Sequence, residues 1–271
     1  MLAPAPDDDE TWGGPMALAS ASAAAAEVVV WFHALGADDA MEIRRVVSSD
    51  GGATFGAATV ALADARDPSV ARAADGSLWM AYADAGGLGL ATGADGVTFE
   101  PTPSTGLPAD ASEPSLVLDG DRFVVFAVQA DAIVRLEAGP DLAFGAPEVV
   151  LAPESGCVDA FGKDKPCWDE AALSGPDVRL ATTAAGRRVW RMFFAGRSGN
   201  ASDLGFAASF DGRVWSRYVF DPVLKESTSE LAPSCVFAAG DYLLFYVDQR
   251  STSSAGIALG RVQSTSPSER W

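Results

Sequence analysis

Cysteine and histidine are scarce. Three cysteines and one histidine, His33, occur in 271 residues. There is no C-x-x-C pair and no Cys/His cluster, which argues against a thiolate or histidine metal centre. Basic residues number 19 against 37 acidic ones, a formal net charge of −18. A chain without a basic face is a poor match for phosphate backbones, so no nucleic-acid partner is expected. Only Lys163, Lys165 and Lys225 are lysines. We read this arginine bias as GC-rich coding; a salt-adapted surface is the alternative. No run of eighteen apolar residues is present, so no membrane span is expected. A sustained helical period is also missing.

What the chain has is repetition. Pro15, Pro68, Pro114, Pro176 and Pro233 each precede a short apolar run, at spacings of 53, 46, 62 and 57 residues. Each run leads through a polar turn to a second run ending in an aromatic, as in Ser77–Tyr82 and Arg122–Phe126. Third runs follow, as in Gly87–Ala91 and Ala132–Leu136. Turns such as Asp50-Gly51, Asp95-Gly96 and Asp211-Gly212 come next, and Asp-Gly between apolar runs is a hairpin signal. Fourth strands are expected at Ala58–Leu62 and Glu148–Leu151. The Ala-rich stretch 17–26 has no amphipathic face and reads as strand and turn.

Four antiparallel strands repeated five times predict an all-β, five-bladed β-propeller forming one domain over 1–271. The blades are expected at about 15–66, 67–112, 113–174, 175–231 and 232–262, with a polar tail at 263–271. The last repeat lacks a fourth strand, and residues 1–14 are expected to supply it, hiding both sheet edges.

Ser48-Ser-Asp-Gly-Gly-Ala-Thr-Phe55 resembles the Asp-box of sialidase-type propellers, and Ser209-Phe-Asp-Gly-Arg-Val-Trp215 resembles its shorter form. The shorter form is similar to turns of the five-bladed glycosidases: arabinanases, β-xylosidases, invertases and mannoside phosphorylases. The resemblance covers roughly residues 10–262. The aspartates of such boxes are turn residues that accept backbone N–H bonds. Sialidases have six blades and an arginine triad; five repeats, with Arg66 and Arg197 making no triad, set that activity aside.

In this architecture the first strands line the channel, and their leading loops open on the same face as the loops after the second strands. The leading-loop groups are Arg66-Asp67, Ser112-Glu113, Trp168-Asp169-Glu170 and Glu230. The groups after second strands are His33, Asp84, Gln129, Arg197 and Asp248-Gln249-Arg250. Carboxylates, amides and arginine suit sugar hydroxyls, and aromatics suit ring faces; propeller loops are polar without function too. Of these, Arg66, His33, Asp84, Gln129, Trp168, Glu170, Arg197, Asp248 and Gln249 are candidates for substrate binding.

Glycoside hydrolysis needs two carboxyl groups, one of them protonated. The resembled glycosidases place Asp, Asp and Glu on the first strands of blades one, two and three. Glu113-Pro114 then implies Glu113 as proton donor, and Arg66-Asp67-Pro68, similar to the R-D-P of invertases, implies Asp67 as transition-state stabiliser or pKa modulator. Residue by residue, Asp67 and Glu113 also read as ordinary loop acids before an X-Pro bond, which favours extended backbone. The departure is in blade one, where Gly13-Gly14-Pro15-Met16 has no acid. Asp169, Glu170 and Glu230 are the substitutes to consider.

The insertion 153–175 holds Cys157 and Cys167. A loop disulfide there would imply an oxidising compartment; free cysteines are the alternative. The N-terminal Met1–Glu10 has no basic or apolar signal region and reads as a mature exported start or a polar tether. The expectation is an extracellular or periplasmic monomer with a carbohydrate or small-molecule ligand and no cofactor, although an acidic channel could accept Ca²⁺. A glycosidase-like enzyme and a non-catalytic propeller that binds glycan or protein both fit; a scaffold domain of a larger surface protein is the third reading.

Overall fold

The computed structural model describes residues 13–19, 27–36, 39–158, 161–183, 185–225, 229–238, 241–251 and 254–263. Blade one comprises β1 (Gly13–Ala19), β2 (Val28–Leu35), β3 (Met41–Ser48) and β4 (Thr59–Ala63). Blade two comprises β5 (Arg66–Arg72), β6 (Leu78–Asp84), β7 (Gly87–Gly93) and β8 (Glu100–Thr102). Blade three comprises β9 (Ser112–Asp119), β10 (Arg122–Gln129), β11 (Ala132–Ala138) and β12 (Glu148–Leu151). Blade four comprises β13 (Ala172–Thr182), β14 (Arg188–Ser198), β15 (Ala201–Ser209) and β16 (Ser216–Arg217). Blade five comprises β17 (Ser229–Ala238), β18 (Asp241–Ser251) and β19 (Ser254–Gln263).

Each sheet is an antiparallel meander in chain order; four have four strands, and the fifth has three among the described residues. The expected closing strand falls on residues 1–12, outside the described residues. β1 itself starts at Gly13, which pairs with His33, so residues 13 and 14 belong to blade one.

The hairpin turns are fixed by their own side chains. The Asp50 carboxylate accepts the Thr54 N–H at 2.8 Å and the Thr54 hydroxyl at 2.7 Å, and Ser48 Oγ accepts the Gly52 N–H at 2.8 Å. The Thr54 hydroxyl first, then the Thr54 N–H and the Ser48 hydroxyl, hold the Asp50 carboxyl well below the usual carboxylate range. Asp211 accepts the Val214 and Arg213 N–H groups at 2.9 and 2.8 Å, which bring its pKa to about 2. Asp95 accepts the Val97 N–H.

Alternating apolar side chains fill the spaces between blades. Five apolar clusters result, one per neighbouring pair of sheets. Trp31 and Ile43 meet Met80 and Phe99 between blades one and two. Leu90 meets Val125 and Leu136 between two and three, and Phe126 meets Trp190 and Met192 between three and four. Leu204 meets Tyr246 between four and five. The fifth cluster joins Val30 and Phe32 of blade one to Leu243 and Phe245 of blade five, so side-chain packing closes the ring.

The five innermost strands share one backbone device. The residue before each proline has a left-handed φ: Gly14 +53°, Asp67 +52°, Glu113 +52°, Gly175 +53° and Ala232 +46°. At each of them the pairing with the second strand shifts register, which makes a bulge. Extended backbone is the usual state before proline. Here the bulge overrides it, and the turned corner aims residue and proline into the channel.

Candidate active site

Two of the five corners carry carboxyl groups in a conformation that costs a non-glycine residue about 1–2 kcal/mol. They are linked to each other and to their neighbours through the corner amides. The Asp67 N–H lies 3.2 Å from His33 Nδ1. The Glu113 N–H donates to the Asp67 carboxylate. The Gly175 N–H donates to Glu113 Oε2 at 2.5 Å. The Glu113 and Gly175 corners thus each hand a hydrogen bond to a side chain of the preceding blade, and the Asp67 amide lies against His33 of blade one.

The two carboxyls are driven in opposite directions. Burial would raise Asp67, but the His33 hydrogen bond, the positive charge of Arg66 and the Glu113 N–H outweigh it, so its pKa is lowered. Arg66 Nη1 donates to Asp67 Oδ2 at 2.7 Å. Glu113 is raised, first by burial and then by the negative charge of Asp67; the Gly175 N–H opposes this only in part. One carboxylate stays ionised while its neighbour holds its proton to higher pH.

One residue deeper lies a second ring. Ser69 Oγ accepts the Leu116 N–H, Ser115 Oγ the Val178 N–H and Asp177 Oδ2 the Cys235 N–H, each at 2.8 Å. Ser234 Oγ accepts the Ala17 N–H at 3.0 Å, joining blade five to blade one. The fifth member, Met16, has no oxygen to offer. Below it, Arg179 crosses the channel: its Nη2 lies 2.9 Å from Asp177 Oδ1, 3.2 Å from the Ala17 carbonyl and 3.3 Å from Ser234 Oγ. Between the rings is a cavity of about 40 Å³ bounded by the five corners and their prolines. That is space for a water or two, so any larger ligand would sit above it, at the mouth.

His33 and Arg66 therefore join Asp67 and Glu113. The other candidates are spread over the structure. Asp169 is fully buried and ion-paired with Arg217 at 2.9 Å, outside the cavity lining. Trp168 lies on blade four: a Cβ at Gly196 or Gly205 would come within 2.4 Å of its indole, and its ring centroid is 5.5 Å from that of Phe194. Glu170 is exposed and accepts the Ser198 hydroxyl at 3.1 Å. Asp84 accepts the Gly86 N–H at 2.6 Å and serves its own turn. Gln129 donates to Asp110 at 2.7 Å. Asp248 is buried on β18, opposite Glu230 in register. The side chains of Glu230, Gln249 and Arg250 lie outside the described residues. Arg197 is exposed beside Ala172, with no ion pair among the described residues.

Cys157 and Cys167 are joined, with S–S at 2.02 Å. Glu154 lies beside them, and this is the only set of three ligand-type side chains close enough for one ion among the described residues. Its sulfurs are spent in the disulfide, so it is no metal site. Cys235 remains a thiol, pushed up to about 12 by burial and by Asp177.

The device that sequence reading missed is the left-handed corner. Its signal was present: Gly14 and Gly175 hold the places that Asp67 and Glu113 hold in other blades, and recurring glycine at one repeat position points to positive φ. Gly14 also explains blade one. A Cβ there would come 2.8 Å from His33 Nδ1 and 3.2 Å from Asp67 Oδ1. The space a blade-one side chain would need is filled by imidazole.

Comparison with known proteins places the fold. No protein-family model matches the sequence, and no curated protein matches it. Among solved structures, a thermostable family-43 glycoside hydrolase superposes with a TM-score of 0.65 at 14% identity, over 93% of this chain and 89% of that one. The catalytic domain of a Coprinopsis cinerea GH62 α-L-arabinofuranosidase gives 0.67 at 10% identity, over 96% and 93%. An endo-1,4-β-xylanase from Bacteroides thetaiotaomicron gives 0.63 at 12% identity, over 91% and 89%. The chain is a five-bladed β-propeller. Its architecture is that of glycoside hydrolases of families 43 and 62.

Proposed function

We propose that this protein is a glycoside hydrolase that cleaves a furanoside or xyloside at the channel mouth. The observation that carries the reading is the pair Asp67 and Glu113, held on strained corners of adjacent blades with their pKa values driven apart. Glu113, raised by burial and by its neighbour, is the general acid that protonates the leaving oxygen. Asp67, ionised and braced by Arg66, holds the Glu113 proton in place and faces the positive charge that develops on the sugar. The exposed Arg197 guanidinium is available to sugar hydroxyls. The disulfide fits an extracellular or periplasmic site of action.

The test is hydrolysis of 4-nitrophenyl α-L-arabinofuranoside and β-D-xyloside by the wild type and by Glu113→Gln. Loss of general-acid catalysis costs roughly 10²–10⁴-fold in turnover. The wild-type rate falls as pH rises through the raised Glu113 pKa, and that alkaline limb is absent from the variant. Gly14 favours a second reading, a propeller that binds glycan without cleaving it, since blade one has no carboxylate. Binding of arabinan or xylan fragments by both proteins, with turnover by neither, is the outcome that selects it.

A further inference from the structure

Blade one lacks the carboxylate that the other two acid corners lead one to seek, yet its station is not empty. His33 reaches it from the neighbouring strand: Gly13 and His33 are register partners, and the Nδ1–Cε1 edge of the imidazole lies over Gly14 where a Cβ would stand. Its side chain is 17% exposed and its Nδ1 is 3.1 Å from Asp67 Oδ1. We propose that His33 is the general base of this site, standing in for a blade-one carboxylate and oriented by Asp67. This rests on the glycosidase reading above.

The proton positions follow from the neighbours. Nδ1 lies within reach of both the Asp67 amide N–H and the Asp67 carboxylate, and it can serve one at a time. Donation to an ionised carboxylate is the stronger bond, because it is charge-assisted. That choice puts the proton on Nδ1 and leaves Nε2 with a free lone pair. No hydrogen bond from the described residues reaches Nε2. An Asp-oriented imidazole with a bare Nε2 is a general base. The titratable groups facing it are Asp67, Arg66 and, beyond them, Glu113.

In the step, Nε2 takes one proton from a water at the cavity mouth. The water oxygen bonds to the anomeric carbon. The glycosidic C–O bond breaks, its electron pair goes to the leaving oxygen, and that oxygen takes the Glu113 proton. Imidazolium and Glu113 carboxylate remain, and solvent exchanges the proton between them. Attack opposite the leaving group inverts the anomeric centre.

The experiment compares the wild type, His33→Ala, His33→Gln, Gly14→Asp, the double variant Gly14→Asp/His33→Ala, and Glu113→Gln. The probes are 4-nitrophenyl and 2,4-dinitrophenyl α-L-arabinofuranosides and β-D-xylosides. An acid variant recovers on the dinitrophenyl leaving group, which needs no proton; a base variant does not. His33→Ala and His33→Gln are expected to lose roughly 10²–10⁴-fold on both leaving groups. Sodium azide restores His33→Ala and yields a glycosyl azide of inverted configuration. Gly14→Asp alone collides with the imidazole and is inactive. In the double variant the imidazole is gone and only Asp67 Oδ1, 3.2 Å from the new Cβ, must give way, so a carboxylate at the blade-one corner recovers at least tenfold over His33→Ala. If His33→Ala destabilises the fold, His33→Gln, which keeps a donor toward Asp67, decides the matter. Near-wild-type turnover by either folded His33 variant, or a retained anomer, overturns the base assignment while Glu113 dependence leaves the enzyme reading standing. No hydrolysis by the wild type overturns both.

Discussion

The channel holds two rings built on the same five strands, and they divide the labour. In the deeper ring the side chains are nearly alike, with Ser69, Ser115 and Ser234 joined by Asp177. All four accept an N–H from the next blade. In the upper ring the backbone is the constant, with φ between +46° and +53° at every corner, while the side chains diverge from none at Gly14 and Gly175 to carboxyls at Asp67 and Glu113. Uniform side chains go with stitching; a uniform backbone bearing different side chains goes with chemistry. The rings also complement one another. Among the described residues the deeper ring has no side-chain bond from Met16 to blade two, and His33 covers that seam in the upper ring, its Nδ1 3.1 Å from Asp67 Oδ1.

Three measurements would break or sharpen that division. Ser234→Ala leaves the Ala17 amide buried without its acceptor, at the seam between blades five and one. It should lower unfolding stability by about 1–3 kcal/mol in urea titration while leaving turnover intact. A matching loss of turnover would show that the deeper ring is not merely structural. Ala232→Gly goes the other way, relieving a left-handed alanine. Subtracting the extra chain entropy of glycine, stability should rise by about 0.5–1 kcal/mol. No gain would mean that the corner is not strained. A third effect lies outside both rings, at Asp221 after β16. Burial raises its pKa to about 6 against the usual aspartate value near 3.8. The folded state therefore binds more protons than the unfolded state between those values, so this group's contribution falls as pH rises through that window. Asp221→Asn should flatten the thermal-melting curve between pH 4 and 6, and an unchanged slope would remove Asp221 as its cause.

The blade count was legible because strand alternation and Asp-Gly turns are local signals, and the fourth strand at Glu148–Leu151 fell where expected. The acid pair was legible through the offset it shares before proline. Its backbone was not, because the general rule for residues before proline points to extended chain and only the bulge reverses it. The remaining candidates were legible as rim residues but not as partners. Asp169 spends its charge on Arg217, Gln129 its amide on Asp110, and Asp84 its carboxylate on a turn. Such pairings join separate loops or lie in the exact course of a turn, and spacing alone does not reveal them. His33 was placed on the rim by its strand; that it fills the space left open by Gly14 depends on two strands meeting.

Arg179 gives the channel a floor. With its guanidinium reaching from blade four to Ala17 and Ser234, the ring is a well rather than a tunnel. On the proposed glycosidase reading, a polysaccharide would not thread through it but would drape across the mouth or present a chain end or side branch, and the cut piece would leave by the way it came in.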